Sequence, residues 1–357
     1  MDTKPRKKCL FLFNELAGYA VSCLKKLSAQ EHVEVHVFKF PVNQVAPFRF
    51  SLEGENMFYY NRPDFTDEQL VTKIKSLNPD LILCGGWSDK GYMKVCSYFK
   101  KSIPVILGFD NPWRGTFRQH IASIVGPFTI RKHFNHCWVA GLPQRIYAKK
   151  LGFRDELIKD DVYSCDYDFF HELYRQFRPA KVESFPKRII FVGRYTKLKG
   201  TAELWEAFTR FQNESPNDWE LWCLGKGDME ADFPKHPKIK NFGFIQPAEM
   251  GRFIAETGVF ILPSHYEHWG VVVHEFACAG FPLICSTTTS AATTFLKDNY
   301  NGFLHEPNNV DALVRVFYKI SNTPSPVLLE MGDRSAEMGA KITPSKWASD
   351  VMDYIKN

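Results

Sequence analysis

Short apolar runs alternate with helical patterns along this chain, and the alternation starts twice. In the N-terminal half, the strand-like runs are "KCLFLF", "VEVHVFKF", "PDLILCGG", "PVILGF" and "HCWVAG", and "VYSCDYDFF" resembles the last strand with its exit loop. Between them, "TDEQLVTKIKSL" has helical spacing and begins with a capping box of Thr66 and Gln69. Such alternation predicts parallel strands with helices covering both faces of the sheet.

The pattern restarts after residue 186. The strand-like runs there are "RIIFVGR", "WELWCLGKG", "IKNFGFI", "GVFILPS" and "PLICS". Residues 171–186 lack a clean period and contain two prolines, which is typical of a linker. We therefore predict an α/β protein of two tandem doubly wound, Rossmann-like domains facing each other across a cleft. The predicted parts are residues 1–170, the linker 171–186, residues 187–343, and a helix at 344–357 that packs back on the first domain.

Composition limits the class of protein. The net charge is only +5, and we expect no nucleic-acid partner. No run of about 18 apolar residues occurs, so no membrane-spanning segment is predicted. The nine cysteines are scattered without a C-x-x-C pair, which favours a reducing, cytoplasmic location.

Two cations flank the first loop of the second domain. In "FVGRYTKLKG", Arg194 directly follows a strand and Lys199 directly precedes a helix. A guanidinium fork, an ammonium group and the positive end of a helix together suit a diphosphate. Two solvated surface cations remain the alternative for this motif taken alone.

Two glutamates lie eight residues apart in "EHWGVVVHE". The favoured geometry leaves Glu267 in a loop after the strand, starts a helix near Gly270, and places Glu275 inside that helix. Partly buried carboxylates need hydrogen-bond donors, which the hydroxyl groups of a sugar or ribose would supply. Structural salt bridges explain the pair equally well at this point.

Taken together, these motifs resemble the retaining glycosyltransferases of the GT-B fold, family four (glycosyl transferases group 1). The resemblance covers roughly residues 187–305, and the N-terminal half agrees only in general layout. The matching motifs, in order, are Gly193–Arg194, Lys199–Gly200, Pro263–Ser264 with Glu267 and Glu275, Gly280–Phe281–Pro282, and "NGFL" from Asn301 to Leu304.

The resemblance assigns roles to these residues. Arg194 and Lys199 would bind the diphosphate of a nucleotide-sugar, and Glu275 would bind the ribose. Glu267 would hold the donor sugar together with the backbone of the four residues that follow it, His268, Trp269, Gly270 and Val271. The loops bordering the base would contain Gly225, Gly227, Phe244 and Ile245.

The N-terminal half offers two further candidates. Gly18 in "ELAGYA" matches a family glycine that lets a helix start approach the diphosphate. Family members often carry a histidine after the strand that corresponds to "PVILGF", where this chain has Asp110, so Asp110 is a candidate catalytic residue. In the second domain, Thr294 replaces a usual glutamate, and Ser290–Ala291 replaces a glycine pair.

The implied activity is metal-independent, cofactor-free transfer of a sugar, with retention, from a nucleotide donor to a glycan or lipid-linked glycan. Surface polysaccharide biosynthesis is the expected context. No carboxylate is identifiable as a covalent nucleophile, which favours front-face transfer. The basic, aromatic segment "FTIRKHFNHCW", Phe128 to Trp138, suggests peripheral contact with a membrane surface, with a solvated helix over a buried strand as the alternative.

Other classes of function remain as alternatives. A non-catalytic nucleotide-sugar-binding protein is consistent with Asp110 and Thr294, and a nucleotide-sugar epimerase would share the architecture. A dehydrogenase is disfavoured because no G-x-G-x-x-G follows the first strand. A metal site is disfavoured because the histidines lack the helical spacing or cysteine partners of zinc sites; these are His133, His136, His265, His268 and His274.

Overall fold

The computed structural model describes residues 5–41 and 51–356. The chain divides into two compact units, unit 1 with Met1–Asp166 and Ile342–Asn357, and unit 2 with Tyr167–Lys341. Each unit contains one sheet in which every described strand pair is parallel, covered by helices. The prediction of two doubly wound, Rossmann-like domains is confirmed.

Unit 1 contains a seven-stranded sheet in the order β3-β2-β1-β4-β5-β6-β7. Its strands are β1 (Lys7–Phe13), β2 (Val33–Lys39), β3 (Met57–Asn61), β4 (Leu81–Gly85), β5 (Val105–Phe109), β6 (His136–Val139) and β7 (Ile158–Lys159). Its first five helices are α1 (Gly18–Ser28), α2 (Asp67–Leu77), α3 (Lys90–Phe99), α4 (Phe117–Thr129) and α5 (Leu142–Lys150). The start of α2 is the predicted capping box, with the Gln69 amide donating to Thr66 Oγ1 at 3.2 Å.

Unit 2 contains a six-stranded sheet in the order β10-β9-β8-β11-β12-β13. Its strands are β8 (Arg188–Val192), β9 (Glu220–Leu224), β10 (Ile239–Gly243), β11 (Val259–Leu262), β12 (Leu283–Ser286) and β13 (Gly302–His305). Its helices are α6 (Tyr167–Glu183), α7 (Thr201–Glu214), α8 (Met250–Glu256), α9 (Val271–Cys278), α10 (Ala292–Phe295), α11 (Val310–Asn322) and α12 (Ser325–Gly339). Strand order reverses between β8 and β11, which is where doubly wound sheets bind ligands.

The last helix, α13 (Pro344–Lys356), belongs to unit 1 and packs against α1. The ring of Trp347 stacks on buried Trp138 with centroids 5.5 Å apart. The indole N–H of Trp347 donates to the carbonyl of Val162 at 2.9 Å. The C-terminal helix is therefore part of the core of unit 1. Among the described residues, no helix combines the length and the apolar character needed to cross a bilayer.

Two interpretations of local sequence were wrong. Most of residues 171–186, interpreted as a linker, lies in the 17-residue helix α6, which buries a narrow stripe including Phe170 and Leu173 and contains Pro179 in its last turn. The run "VYSCDYDFF" is not a strand, because the last strand of the sheet is β7 and Tyr167 already begins α6. The segment Phe128 to Trp138 runs from the exposed end of α4 to buried Trp138 in β6, which agrees with the alternative of a helix over a buried strand; membrane contact stays a prediction.

Candidate functional site

The loops after β8, β9 and β10 lie side by side at the carboxyl edge of the unit 2 sheet. The Gly193 amide donates to the carbonyl of Leu224 at 3.0 Å, and the Tyr195 amide to that of Lys226 at 3.0 Å. The Gly225 amide donates to the carbonyl of Gly243 at 2.8 Å. Backbone pairing therefore continues beyond the strands and fixes these loops at the edge of the sheet.

Gly225 and Gly227 allow this close approach. A Cβ atom at Gly225 would lie 1.9 Å from the carbonyl oxygen of Gly193, and one at Gly227 would lie 2.2 Å from that of Tyr195. Any side chain there would force the loops apart. Phe244 and Ile245, which follow β10, are half-buried at the same edge of the sheet.

Lys199 and Glu267 are brought together from positions 68 residues apart in the chain. Lys199 ends a single-turn 3-10 helix directly before α7, and Glu267 lies in the loop after β11. The Lys199 ammonium donates to Glu267 Oε2, and the Ser264 hydroxyl donates to the same oxygen at 3.3 Å. Both side chains of the ion pair are mostly buried.

Arg194 lies in the loop after β8 and is exposed. Its side chain forms no hydrogen bond or ion pair with any residue that the structure describes. Its guanidinium is therefore free to bind an anion at the switch point between β8 and β11.

Two helices start at this edge without a side-chain cap. Gly270 precedes α9 with φ 91°, and Gly200 precedes α7 with φ 67°. A Cβ atom at Gly200 would lie 2.3 Å from the carbonyl oxygen of Pro263. Uncapped helix starts present N–H groups and the positive end of the helix dipole, which suit an anionic ligand.

The residues between the two glutamates divide into core and surface. Trp269 is only 2% exposed and its ring packs edge-on against that of Phe295, so it can serve a ligand only through its backbone. His268 is exposed and Val271 is half-buried at the first position of α9. Glu275 lies in the second turn of α9 and is half-buried.

Three hydroxyl side chains at and beyond the end of β12 hold the Glu267 loop. The sequence analysis named only Ser290 among them, as a departure from the family pattern, and assigned it no role. Ser286 Oγ donates to the carbonyl of Ser264 at 2.5 Å, and Thr288 Oγ1 donates to the same carbonyl at 3.1 Å. Ser290 Oγ donates to the carbonyl of Glu267 at 3.2 Å. The run of hydroxyl residues "STTTS" at the end of a strand was the available signal.

The expectation that the histidines lack helical spacing and cysteine partners was wrong for His274, because Cys278 lies four residues further along α9 with its sulfur within 4.8 Å of a ring nitrogen of His274. Two of the histidines near this loop have other structural partners. His265 Nε2 lies 3.0 Å from Glu203 Oε2, and buried His274 Nε2 lies 2.9 Å from the carbonyl of Gly339.

The chain also contains one Asp-x-Asp pattern, Asp166 and Asp168, at the start of α6. The expectation that no metal is needed therefore rests on the family resemblance alone.

Unit 1 has a cavity of about 230 Å³ at its own switch point, between β1 and β4. Its lining includes Asn14, Tyr19, Gly85, Tyr163 and Trp347. Desolvation raises the pKa of Tyr19 and of Tyr163, and the charge of Asp110 raises both further. Both phenols therefore remain protonated at neutral pH and can donate hydrogen bonds.

Gly18 and Asp110, the two candidate residues predicted in the N-terminal half, lie beside this cavity in the fold. Gly18 is the first residue of α1, directly before the cavity residue Tyr19. Asp110 directly follows β5, and its carbonyl accepts a hydrogen bond from Gln144 Nε2 at 2.9 Å. The loop that carries the Asp110 carboxylate is thereby fixed to α5.

Two parallel-sheet units, each with loops suited to ligand binding at its switch point, define the GT-B class of fold. The structure of Anabaena Alr3699/HepE in complex with UDP-glucose is similar over 98% of this chain and 99% of that chain, with a TM-score of 0.70 and 15% identity. Residues 175–338 match the model of the family glycosyl transferases group 1. The matched region is nearly all of unit 2, a little less than half of the chain.

Curated relatives match the same class. The alpha-monoglucosyldiacylglycerol synthase of Acholeplasma laidlawii is 29% identical over 159 residues, covering 43% of this chain and 38% of the relative. The amylovoran biosynthesis glycosyltransferase AmsK of Erwinia amylovora is 27% identical over 156 residues, covering 40% of this chain and 38% of the relative. The chain thus spans less than half the length of these relatives.

Replacing Gly270 with alanine is expected to lower the free energy of unfolding by about 1–3 kcal/mol. The reason is its φ of 91° together with a distance of only 2.9 Å between a new Cβ atom and Glu267 Cγ. Denaturant unfolding measures the change. Gly251→Ala in α8 is the matched control, because its Cβ atom would meet only the Leu173 side chain at 3.5 Å. Equal stability of the two variants would contradict the strain at Gly270.

Proposed function

We propose that this protein is a retaining glycosyltransferase that moves a sugar from a nucleotide-diphosphate donor to a glycan or lipid-linked glycan. The donor would bind to unit 2 with Arg194 and Lys199 on the diphosphate, Glu275 on the ribose and Glu267 on the sugar. The loops containing Gly225, Gly227, Phe244 and Ile245 would border the base.

One observation carries this proposal. At the switch point of unit 2, a free guanidinium, a lysine paired to a carboxylate and two uncapped helix starts lie on loops at one edge of the sheet. The cations and helix starts complement a diphosphate, and the carboxylates complement sugar hydroxyls. Few other ligands combine two phosphates with several hydroxyl groups.

The chemistry follows from where charge develops. Breaking the bond between the anomeric carbon and the phosphate oxygen leaves positive charge on the sugar and negative charge on the departing diphosphate. Lys199, Arg194 and the start of α9 would stabilise that negative charge, and fixed donors of this kind lower the barrier. The leaving phosphate oxygen would accept the proton of the attacking hydroxyl on the same face, which retains the anomeric configuration without a metal.

The acceptor side is proposed for unit 1. The cavity at its switch point offers two protonated tyrosines, with Asp110 close enough to raise their pKa values, a set suited to a hydroxylated acceptor. The amylovoran biosynthesis relative supports polysaccharide assembly as the context, and the alpha-monoglucosyldiacylglycerol synthase relative supports a lipid-bearing acceptor. A cytoplasmic location with peripheral membrane contact would suit both.

Nucleotide binding tests the donor assignment. UDP, GDP, ADP and their sugar conjugates are added to the full-length protein and the melting temperature is recorded, because a ligand of the native state raises it. We expect the nucleotide and the nucleotide-sugars of one base to raise the melting temperature. Arg194→Ala and Glu275→Ala should each abolish that increase. Arg175→Ala, an exposed arginine on α6, should retain it. Unchanged increases in the first two variants would refute the proposed donor site.

A non-catalytic binding protein on this fold is the second candidate, favoured by Asp110 at the position where family members often carry histidine. Release of nucleoside diphosphate separates the two candidates. A catalyst releases it faster in the presence of acceptor, whereas a binding protein shows the higher melting temperature without turnover.

A further inference from the structure

Helix α4 carries an apolar face that points to solvent. Phe117 is 81% exposed, Ile124 72% and Phe128 76%, and Ile121 and Val125 are also exposed. At about 100° per residue, all five fall within an arc of about 100° on one side of the helix. Surface helices ordinarily place charged and polar residues on this side.

The opposite side of α4 already faces the core of unit 1. Gly126 is buried, and a Cβ atom there would lie 2.8 Å from Leu151 Cδ2. Ala122 and Ile130 pack against the hydrophobic core. The exposed face is therefore a second apolar face that folding of unit 1 leaves uncovered.

Helix α5, which contacts α4, extends the apolar surface. Its Leu142 and Ile146 are exposed, while its core side is buried. Among the described residues, seven of the thirteen large hydrophobic side chains that are exposed belong to these two helices. Exposed apolar residues are common singly, but a concentration of this kind marks a binding surface.

The sequence around this surface is rich in cations, although some of them have acidic partners from the next segment. Arg145 and Lys149 pair with Asp155, and Arg154 pairs with Glu156. The 44 residues from Asn111 to Arg154 contain no aspartate or glutamate and eight Lys or Arg residues, namely Arg114, Arg118, Arg131, Lys132, Arg145, Lys149, Lys150 and Arg154. Exposed Arg118 lies at the start of α4 and exposed Lys132 just beyond its end. Arg118 and Lys132 form no ion pair with any described residue, so they provide net positive charge at both ends of α4.

We propose that α4, with Leu142 and Ile146 of α5, docks unit 1 on an anionic lipid bilayer. The helix would lie in the plane of the interface, with its apolar face among the acyl chains and its flanking cations at the headgroups. A second copy of this chain fits less well, because pairing the surface with itself would oppose two cationic clusters. The inference extends the proposed function, since a lipid-bearing acceptor is reached at such a surface.

Vesicle sedimentation with the full-length protein tests this. We expect binding to vesicles that contain phosphatidylglycerol, little binding to phosphatidylcholine alone, and weaker binding as salt is raised. Ile124→Glu and, separately, Phe128→Ser should each reduce the bound fraction at least about tenfold, since each removes apolar contact. Val327→Glu on α12, also at an exposed valine, should bind like the wild type.

Three results would overturn the docking proposal. They are absence of binding to anionic vesicles, equal binding by Ile124→Glu and Val327→Glu, or a wild-type dimer that Ile124→Glu dissociates in sedimentation velocity without any vesicle binding. The melting temperatures of the variants show that they fold. The nucleotide-induced rise in melting temperature should persist in all of them, so failure of docking is distinguishable from failure of the proposed donor site.

Discussion

Replacing Lys199 with alanine is expected to lower turnover by about a hundredfold to a thousandfold. The ammonium group would lose its place beside the departing diphosphate, and Glu267 would remain mostly buried without its cation. An unpaired carboxylate at that position repels the charge that develops in the transition state. The rate of nucleoside diphosphate release at saturating donor measures the effect.

Lys197→Ala is the matched control for this prediction. Lys197 begins the same single-turn 3-10 helix but is exposed. Its removal should change turnover by no more than about twofold, since exposed cations interact weakly with charges at a distance. A Lys199→Ala enzyme that folds and retains turnover within tenfold of the wild type would remove Lys199 from the proposed chemistry.

Replacing Lys181 with methionine is expected to stabilise the protein by about 3 kcal/mol near neutral pH. Lys181 lies in α6, is 7% exposed, and has its Nζ 3.9 Å from the centre of the Phe281 ring. Among the described residues, no carboxylate pairs with it. Burial lowers the pKa of Lys181 from 10.5 to about 7, and the nearby charge of Arg178 contributes to the lowering. A pKa lower by one costs the charged form about 1.4 kcal/mol, and losing the contact with the ring offsets part of the total gain.

The stabilising effect of Lys181→Met should depend on pH. Because the folded-state pKa lies below the unfolded-state value, the unfolded chain holds one more proton between about pH 7 and 10.5. The wild type should therefore gain stability from this group as pH rises through that window. The advantage of Lys181→Met should disappear near pH 10, because the desolvation cost of the amine falls there to about 1 kcal/mol, which the lost contact with the ring offsets. Burial raises the pKa values of cysteines such as Cys9 and Cys223, which lowers the stability of the protein as pH rises. Comparing Lys181→Met with the wild type at each pH cancels this contribution, because both proteins contain the same cysteines.

Denaturant unfolding at several pH values measures both effects. Lys187→Met serves as the control, because that side chain is about half exposed and its removal should change stability by less than about 0.5 kcal/mol at every pH. A Lys181→Met variant less stable than the wild type at neutral pH would show that the buried amine is satisfied in a way that offsets its desolvation.

Several features of unit 2 could be predicted from its sequence, because they are local. A glycine or cation directly after a strand-like run lies at the carboxyl edge of a parallel sheet wherever that strand is placed. The start of α9 after Gly270 and the position of Glu275 inside it also followed from spacing. The contact of Lys199 with Glu267 did not, because the 68 residues between them place no constraint on their distance.

The errors have a common origin in long-range packing. The residues interpreted as a linker are helical because α6 packs against α8, α9 and α12, which stabilise a pattern too weak to recognise alone. The hydroxyl side chains at and beyond the end of β12 became site residues only because β11 and β12 pair and bring Ser286 beside Ser264.

The sequence by itself determined that two parallel sheets form, where each chain segment leaves its strand, and which loops carry charge. Only the tertiary structure decided which side of α4 remains uncovered, that Lys181 is desolvated, and that Lys199 meets Glu267. The physical reason is that strand and helix patterns depend on neighbours a few residues away. Burial and pairing depend on side chains that arrive from distant parts of the chain.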